Sequence, residues 1–169
     1  MARGDDEFVE FVEASSRRLT HGAYLLTGDR HQAEDAAQTA FARTYAAWGR
    51  VRRKDAYAYA RTVLVNHVID GWRRQIREYA ADELPESATG QDVAQAVSNR
   101  AWLTAALARL TGRERAVVAL RHFFDLPEKE VAEELGVSVG TVKSTNSRAL
   151  AKLRVDAEPE DELIRGGGR

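Results

Sequence analysis

A chain of 169 residues with 44% hydrophobic side chains can bury a core, and its length equally allows two small domains of roughly 70 residues each. Cysteine is absent, which excludes disulfides, thiolate zinc sites and cysteine nucleophiles and fits a reducing compartment; no run of about 18 apolar residues offers a membrane span. The 25 basic and 26 acidic residues leave a net charge of -1, which argues against strong, indiscriminate phosphate binding.

The charge is unevenly laid out. Residues 1–80 carry 13 Lys or Arg against 11 Asp or Glu, and residues 100–154 carry 10 against 6. Residues 81–99 hold four acids and no base, and residues 155–169 hold five acids against two bases. Two mildly basic bodies are thus joined and followed by acidic segments. The first ten residues, MARGDDEFVE, place acids where a secretory signal needs an apolar stretch, so a cytoplasmic protein without membrane insertion is expected.

Apolar positions at Phe8, Phe11, Val12, Leu19, Ala23 and Leu26 predict an amphipathic helix over 6–26. TGDR at 27–30 reads as a turn in which Gly28 takes a left-handed conformation. Ala33, Ala36, Ala37, Ala40, Phe41, Thr44, Tyr45 and Trp48 line one face of a second helix, with Glu34 and Asp35 near the positive end of its dipole. RVRRKD at 50–55 is a basic connector, and Tyr57, Ala60, Leu64, Val68, Gly71 and Trp72 mark a third helix ending near Arg77. Tyr57 and Tyr59 cannot both face one core, so one of them is expected at the surface. Aromatic rings among Arg61, Asn66, Arg73, Arg74 and Arg77 suit single-stranded nucleic acid, because bases stack on rings while guanidinium groups hold the backbone.

Residues 79–92, YAADELPESATGQD, are poor in large apolar side chains and read as a domain boundary. A helix resumes near Val97 with Leu103, Leu107 and Leu110 as core positions. TGRE at 111–114 has the Thr-x-x-Glu form of a capping box and starts a helix carrying Val117, Val118, Leu120 and Phe124. FDLPEKE at 124–130 ends it and opens another, with Pro127 expected in the first turn.

Residues 127–135, 136–138 and 139–153 then form a helix-turn-helix. Ala132 is small where the helices cross, Gly136 supplies the positive φ of the turn, and Val142 points back between the helices. Ser138 is placed to cap the second helix, whose outward set is Ser138, Gly140, Thr141, Lys143, Ser144, Ser147 and Arg148. Such side chains contact base edges and phosphates. No nucleophile triad, phosphate loop or metal-spaced carboxylate cluster stands out, so neither catalysis nor a cofactor is expected.

Three segments carry a likeness to one family: YLLTGDRHQAEDAAQTAFARTYAAW at 24–48, AYARTVLVNHVIDGWRR at 58–74, and LTGRERAVVALRHFFDLPEKEVAEELGVSVGTVKSTNSRALAKLR at 110–154. The chain resembles the extracytoplasmic-function (ECF) sigma factors of bacterial RNA polymerase, most closely the actinobacterial SigE-like group. The resemblance implies an all-α fold of two small helical domains joined by a flexible linker. Residues 1–78 would be region 2, 79–96 an acidic linker, 97–155 region 4 and 156–169 a disordered tail. It implies a non-catalytic specificity subunit whose partners are core RNA polymerase (the β′ clamp and the β flap) and promoter DNA, and it allows an anti-sigma factor. Asp35, Ala36, Gln38 and Phe41 would face the clamp. Arg61, Asn66, Asp70, Arg73 and Arg74, with the connector 51–55, would read and hold the −10 element. Arg121, Ser138, Thr141, Lys143, Ser144, Ser147 and Arg148 would contact the −35 duplex.

Two places depart from the family pattern. Thr145 and Asn146 follow the Thr-Val-Lys-Ser run where relatives carry Arg or bulkier residues, which marks them as polar positions bearing on −35 preference. Ala36-Ala37 is smaller than the Leu-Val found there in relatives. Outside the resemblance, a stand-alone helix-turn-helix regulator and a protein-binding adaptor remain open readings of the same residues.

Overall fold

The computed structural model describes residues 3–79 and 99–157, and every element among them is helical. The chain divides into two compact units, Met1–Gly90 and Gln91–Arg169. This is the all-α, two-body class expected.

The first unit packs three helices, α1 (Arg3–Thr27), α2 (Arg30–Ala46) and α3 (Ala56–Tyr79). The α1–α2 joint is made locally. Gly28 has φ +67 and its amide donates to Tyr24 O at 2.7 Å. The Asp29 carboxylate then accepts the Gln32 amide at 2.9 Å, so one helix is closed and the next capped within two residues. Because α2 begins at Arg30, Glu34 and Asp35 lie beyond its first turn, and the anion at the dipole's positive end is Asp29.

The buried face of α2 is Ala33, Ala36, Ala37, Ala40 and Thr44, set against Leu19, Ala23 and Leu26 of α1 and Ala56, Ala60, Leu64, Val65 and Val68 of α3. Methyl-sized side chains let the helix backbones approach closely. The buried Thr44 hydroxyl donates back to Ala40 O at 2.7 Å, so the stripe leaves no hydroxyl unpaired. At the open end, the rings of Phe8, Phe11, Phe41, Tyr45 and Trp48 form a cluster with centroid separations of 4.9 to 6.1 Å. The Tyr45 hydroxyl donates to Asp5 at 2.9 Å, and that bond, with the nearby negative charge, raises the phenol's pKa. A short 3-10 turn at Arg53–Asp55 follows, tied to α1 by Arg53 Nε and Glu7 at 3.2 Å.

The second unit contains α4 (Asn99–Ala108), α5 (Gly112–Val118), a π-helical turn at Ala119–Phe123, α6 (Glu128–Leu135) and α7 (Val139–Ala157). Thr111 caps α5 as expected, its hydroxyl accepting the Glu114 amide at 3.2 Å. The Glu114 carboxylate instead accepts from Lys152 Nζ of α7 at 2.8 Å. Where periodicity predicts one helix through Phe124, the Phe124 amide reaches back five residues to Ala119 O at 3.0 Å. This wider turn buries Ala119, Leu120, Phe124 and Leu126 together, which a straight α-helix would spread over two faces.

Two further details differ from expectation. Pro127 stands one position ahead of α6, with φ −65 and ψ 154; its extended ψ keeps it out of the first turn, and its carbonyl accepts the Val131 amide at 3.1 Å. Leu103 is 37% exposed, because α4 turns Ala106, Leu107 and Leu110 to the core instead. Helices α3 and α7 reach Tyr79 and Ala157, just inside the segments read as linker and tail; the rest of both segments lies outside the described residues.

The Glu114 side chain is 8% exposed against 45% for Lys152, and its Oε2 has no hydrogen-bond partner, so its charge depends on that single lysine. Lys152→Ala is expected to destabilise the second unit by about 1–3 kcal/mol, the cost of an unpaired buried carboxylate. Adding Glu114→Gln to that variant should recover most of the loss. Thermal unfolding of the full chain and both variants at neutral pH checks this.

Candidate nucleic-acid interfaces

Cations in the first unit gather along the outer side of α3. Asn66, Asp70, Arg73, Arg74 and Arg77 are exposed, and a polar groove of about 410 Å³ is lined by His67, Asp70, Arg73, Arg74 and Arg77 together with Arg43 of α2. From His67 to Arg77 the helix rises roughly 15 Å, so the guanidinium groups are strung along a line rather than clustered at a point. His67 Nε2 lies 3.4 Å from Asp35 Oδ2, which ties the middle of α3 to α2. Arg61, expected in the same set, is half-buried one face away.

A second concavity, of about 530 Å³, lies where the connector meets α3. It is lined by Ala47, Arg50, Val51, Arg52, Asp55 and Tyr59. Tyr59 is 38% exposed, whereas the Tyr57 hydroxyl accepts from Arg18 Nε at 2.9 Å and is engaged within the unit. The expected division between the two tyrosines therefore holds, with Tyr59 as the ring that faces solvent. A ring beside two arginines can take an unstacked base and its phosphate.

Of the four residues expected to face the clamp, Asp35 and Gln38 are exposed on α2, and Phe41 is half-buried with its ring 6.0 Å from that of Phe11. Ala36 is 1% exposed and turned into the bundle. Its side chain belongs to the stripe that seats α2 rather than to the outer face.

In the second unit the helix-turn-helix has the expected geometry. Gly136 has φ +65, and the Val137 amide closes the end of α6 on Ala132 O at 3.1 Å. Val142 is fully buried against the α6 side, and Ala132 is nearly so. The Ser138 hydroxyl accepts the Thr141 amide at 3.1 Å, which caps α7. Ser138, Gly140, Lys143, Ser144, Ser147 and Arg148 are exposed and Thr141 is half-exposed, so the outward set lies together on α7. Arg121 is oriented otherwise: half-buried, it donates from Nη1 to Leu126 O at 3.1 Å and braces the loop after the π turn. Lys143 Nζ lies 3.8 Å from the Glu128 carboxylate of α6.

Thr145 and Asn146 prove not to belong to the polar face. Thr145 is 1% exposed, and its hydroxyl lies 3.4 Å from Arg148 Nη2. Asn146 Oδ1 is 2.9 Å from His122 Nε2, pinning α7 to the π turn. The sequence pattern also misses Arg43, which reaches the α3 groove only through the crossing of two helices. Nothing in the linear spacing of Arg43 signals this.

The chain matches the family described as Sigma-70 region 2 over residues 11–78 and that described as Sigma-70, region 4 over residues 100–153. It is similar to the RNA polymerase sigma-E factor of Streptomyces coelicolor, 40% identical over 157 residues that cover 92% of this chain and 88% of the relative. It is also similar to the ECF RNA polymerase sigma factor SigL of Mycobacterium tuberculosis, 32% identical over 143 residues that cover 79% of this chain and 78% of that one. Among solved structures, the sigma factor RpoE in complex with the anti-sigma factor NepR from Bartonella quintana superposes with a TM-score of 0.70 at 20% identity, covering 90% of this chain and 98% of that one. CnrH, solved in complex with the cytosolic domain of CnrY, gives 0.59 at 22%, covering 89% and 88%. At those identities the likeness is one of fold.

Burial of Thr145 generates a prediction. Thr145→Arg, which restores the side chain expected from the family pattern, should destabilise the second unit by about 1–3 kcal/mol through overpacking and charge burial. A solvent-facing residue would tolerate the change within about 0.5 kcal/mol. The midpoint of denaturant unfolding distinguishes the two.

Proposed function

The chain belongs to the ECF family of RNA polymerase sigma factors, and on that premise we propose that it reads a −35/−10 promoter for core polymerase and helps open it. The observation that carries this reading is the presence of two chemically different nucleic-acid surfaces, one in each family-matching unit. The helix α7 presents short hydroxyls and two cations from a capped N-terminus, which suits a major groove. The first unit offers an arginine-lined groove and an exposed ring, which suit a single strand.

The finer assignments follow from that division of labour. Residues 1–78 act as region 2, 97–155 as region 4, 79–96 as the linker within the polymerase and 156–169 as a tail. Ser138, Thr141, Lys143, Ser144, Ser147 and Arg148 contact the −35 duplex. Arg121 serves that surface by bracing its loop. Asn66, Asp70, Arg73 and Arg74 hold the −10 region with Arg61, and Arg43 and Arg77 extend the same cationic line. Asp35 and Gln38 meet the polymerase clamp, Phe41 stiffens that face, and Ala36 sets its height from within. Similarity to the Streptomyces sigma-E factor favours the SigE-like group, and the RpoE–NepR complex favours a restraining protein partner.

Magnitudes support the need for both surfaces. Opening each step of duplex costs about 1.4 kcal/mol in stacking. One base stacked on Tyr59 returns about 1–3 kcal/mol, so one captured base offsets one or two steps and the phosphate contacts must offset the rest.

Mixed with core RNA polymerase, the chain should start run-off transcripts from a −35/−10 promoter; failure to bind core polymerase in a pull-down overturns the reading. Lys143→Ala with Arg148→Ala should weaken binding of the holoenzyme to the promoter's −35 duplex at least about tenfold, as expected for lost base or phosphate contacts, while core binding is kept. Tyr59→Ala, or Arg73→Ala with Arg74→Ala, should lower permanganate reactivity of promoter thymines. Unchanged opening in both would count against the single-strand surface.

A further inference from the structure

We propose that Glu128 is an internal competitor of DNA for Lys143, holding that cation away from the phosphate backbone until an acceptor displaces the carboxylate. The inference rests on the reading of α7 as a duplex-facing helix, and it assigns a role to a residue outside the contact set.

Three observations on the two helices carry it. Lys143 Nζ and Glu128 Oε2 are 3.8 Å apart, although the residues are fifteen positions apart in sequence and lie on different helices. The two sides of the pair are unequal: the Lys143 side chain is 65% exposed and that of Glu128 32%, so the lysine is the partner free to leave. Glu128 is also the first residue of α6, after Pro127, where the helix dipole favours a carboxylate. The anion is therefore held by its own helix, and the lysine on a flexible four-carbon stem moves to it.

In a helix-turn-helix the first helix crosses the DNA backbone while the second enters the groove. Glu128 consequently stands beside the position a phosphate would take and supplies the same charge and acceptor chemistry. A lysine bound to it contributes no net counterion release on an arbitrary duplex, because one anion is exchanged for another. An exposed pair of this kind is weak, so a well-placed guanine edge or an anchored phosphate can displace it. The chain alone then keeps a low affinity for bulk DNA, and Lys143 engages where other contacts have already fixed the duplex.

The test is a double-mutant cycle on the full chain, using a fluorescent mixed-sequence duplex as probe and titrating salt. Glu128→Gln should tighten binding between about twofold and fivefold, the range open to an exposed ion pair. It should also steepen the salt dependence by about 0.9, one additional phosphate neutralised. In the Lys143→Ala background the same Glu128→Gln change should do neither. Equal tightening in both backgrounds would show simple repulsion between Glu128 and DNA and overturn the proposal, as would no tightening in either. If none of the four chains bound duplex at all, the duplex-facing reading of α7 would fall with it. Run-off transcription separates the cases: a wild-type chain that starts transcripts but shows no Lys143-dependent effect of Glu128→Gln refutes the competitor alone.

Discussion

Close contact through small side chains holds the first unit together and decides where its cations can go. Ala33, Ala36, Ala37 and Ala40 give α2 a flat side, and α1 and α3 settle onto it with Leu19, Leu26, Leu64 and Val65 filling the remaining space. Each alanine contributes little apolar area, so the stability of the arrangement comes from the larger residues of the flanking helices and from dense packing rather than from α2 itself. Long polar side chains have no room on that side. Arg43, Asp35 and Gln38 are displaced to the outside of α2, where they meet α3's cations or remain available to a partner.

The second unit solves a different problem. Its duplex-facing helix must be rigid at one end and bare along one side. Rigidity comes from several unlike contacts: the Ser138 cap, Val142 in the angle of the turn, Asn146 on His122, and Lys152 on the buried Glu114. None of these uses the outward face. Lys143 is the exception, since its internal partner lies on the side where DNA would approach. Packing and recognition are thereby kept on separate sides of one helix except at a single charge.

Local chemistry was legible in the sequence because it acts over a few residues. Gly28, Gly136, Thr111 and Ser138 announce a turn or a cap by type and spacing, and each takes the expected conformation. Hydrophobic period located α1, α2, α3, α6 and α7 and the outward set on α7. What stayed hidden depends on distances between elements. The inward turn of Thr145 follows from how α7 rolls against its neighbours, and Arg43 meets α3 only because two helices cross. Pairing of Asn146 with His122 likewise spans 24 positions. A threonine after a Thr-Val-Lys-Ser run looks polar whichever way it faces, so its burial needed the packed unit.

The π turn at Ala119–Phe123 has a consequence of another kind. Each α-helical residue advances the chain by about 100° around its axis, and a π turn accommodates one residue beyond the α count. The direction in which the chain leaves α5, and with it the aim of everything from Leu126 onward, is therefore set by counting rather than by any single side chain. Exchanging residues within the turn changes how tightly it is held. Removing or adding one would swing the whole reading head by more than a quarter of a revolution relative to α5, which makes length, and not composition, the variable this segment guards most closely.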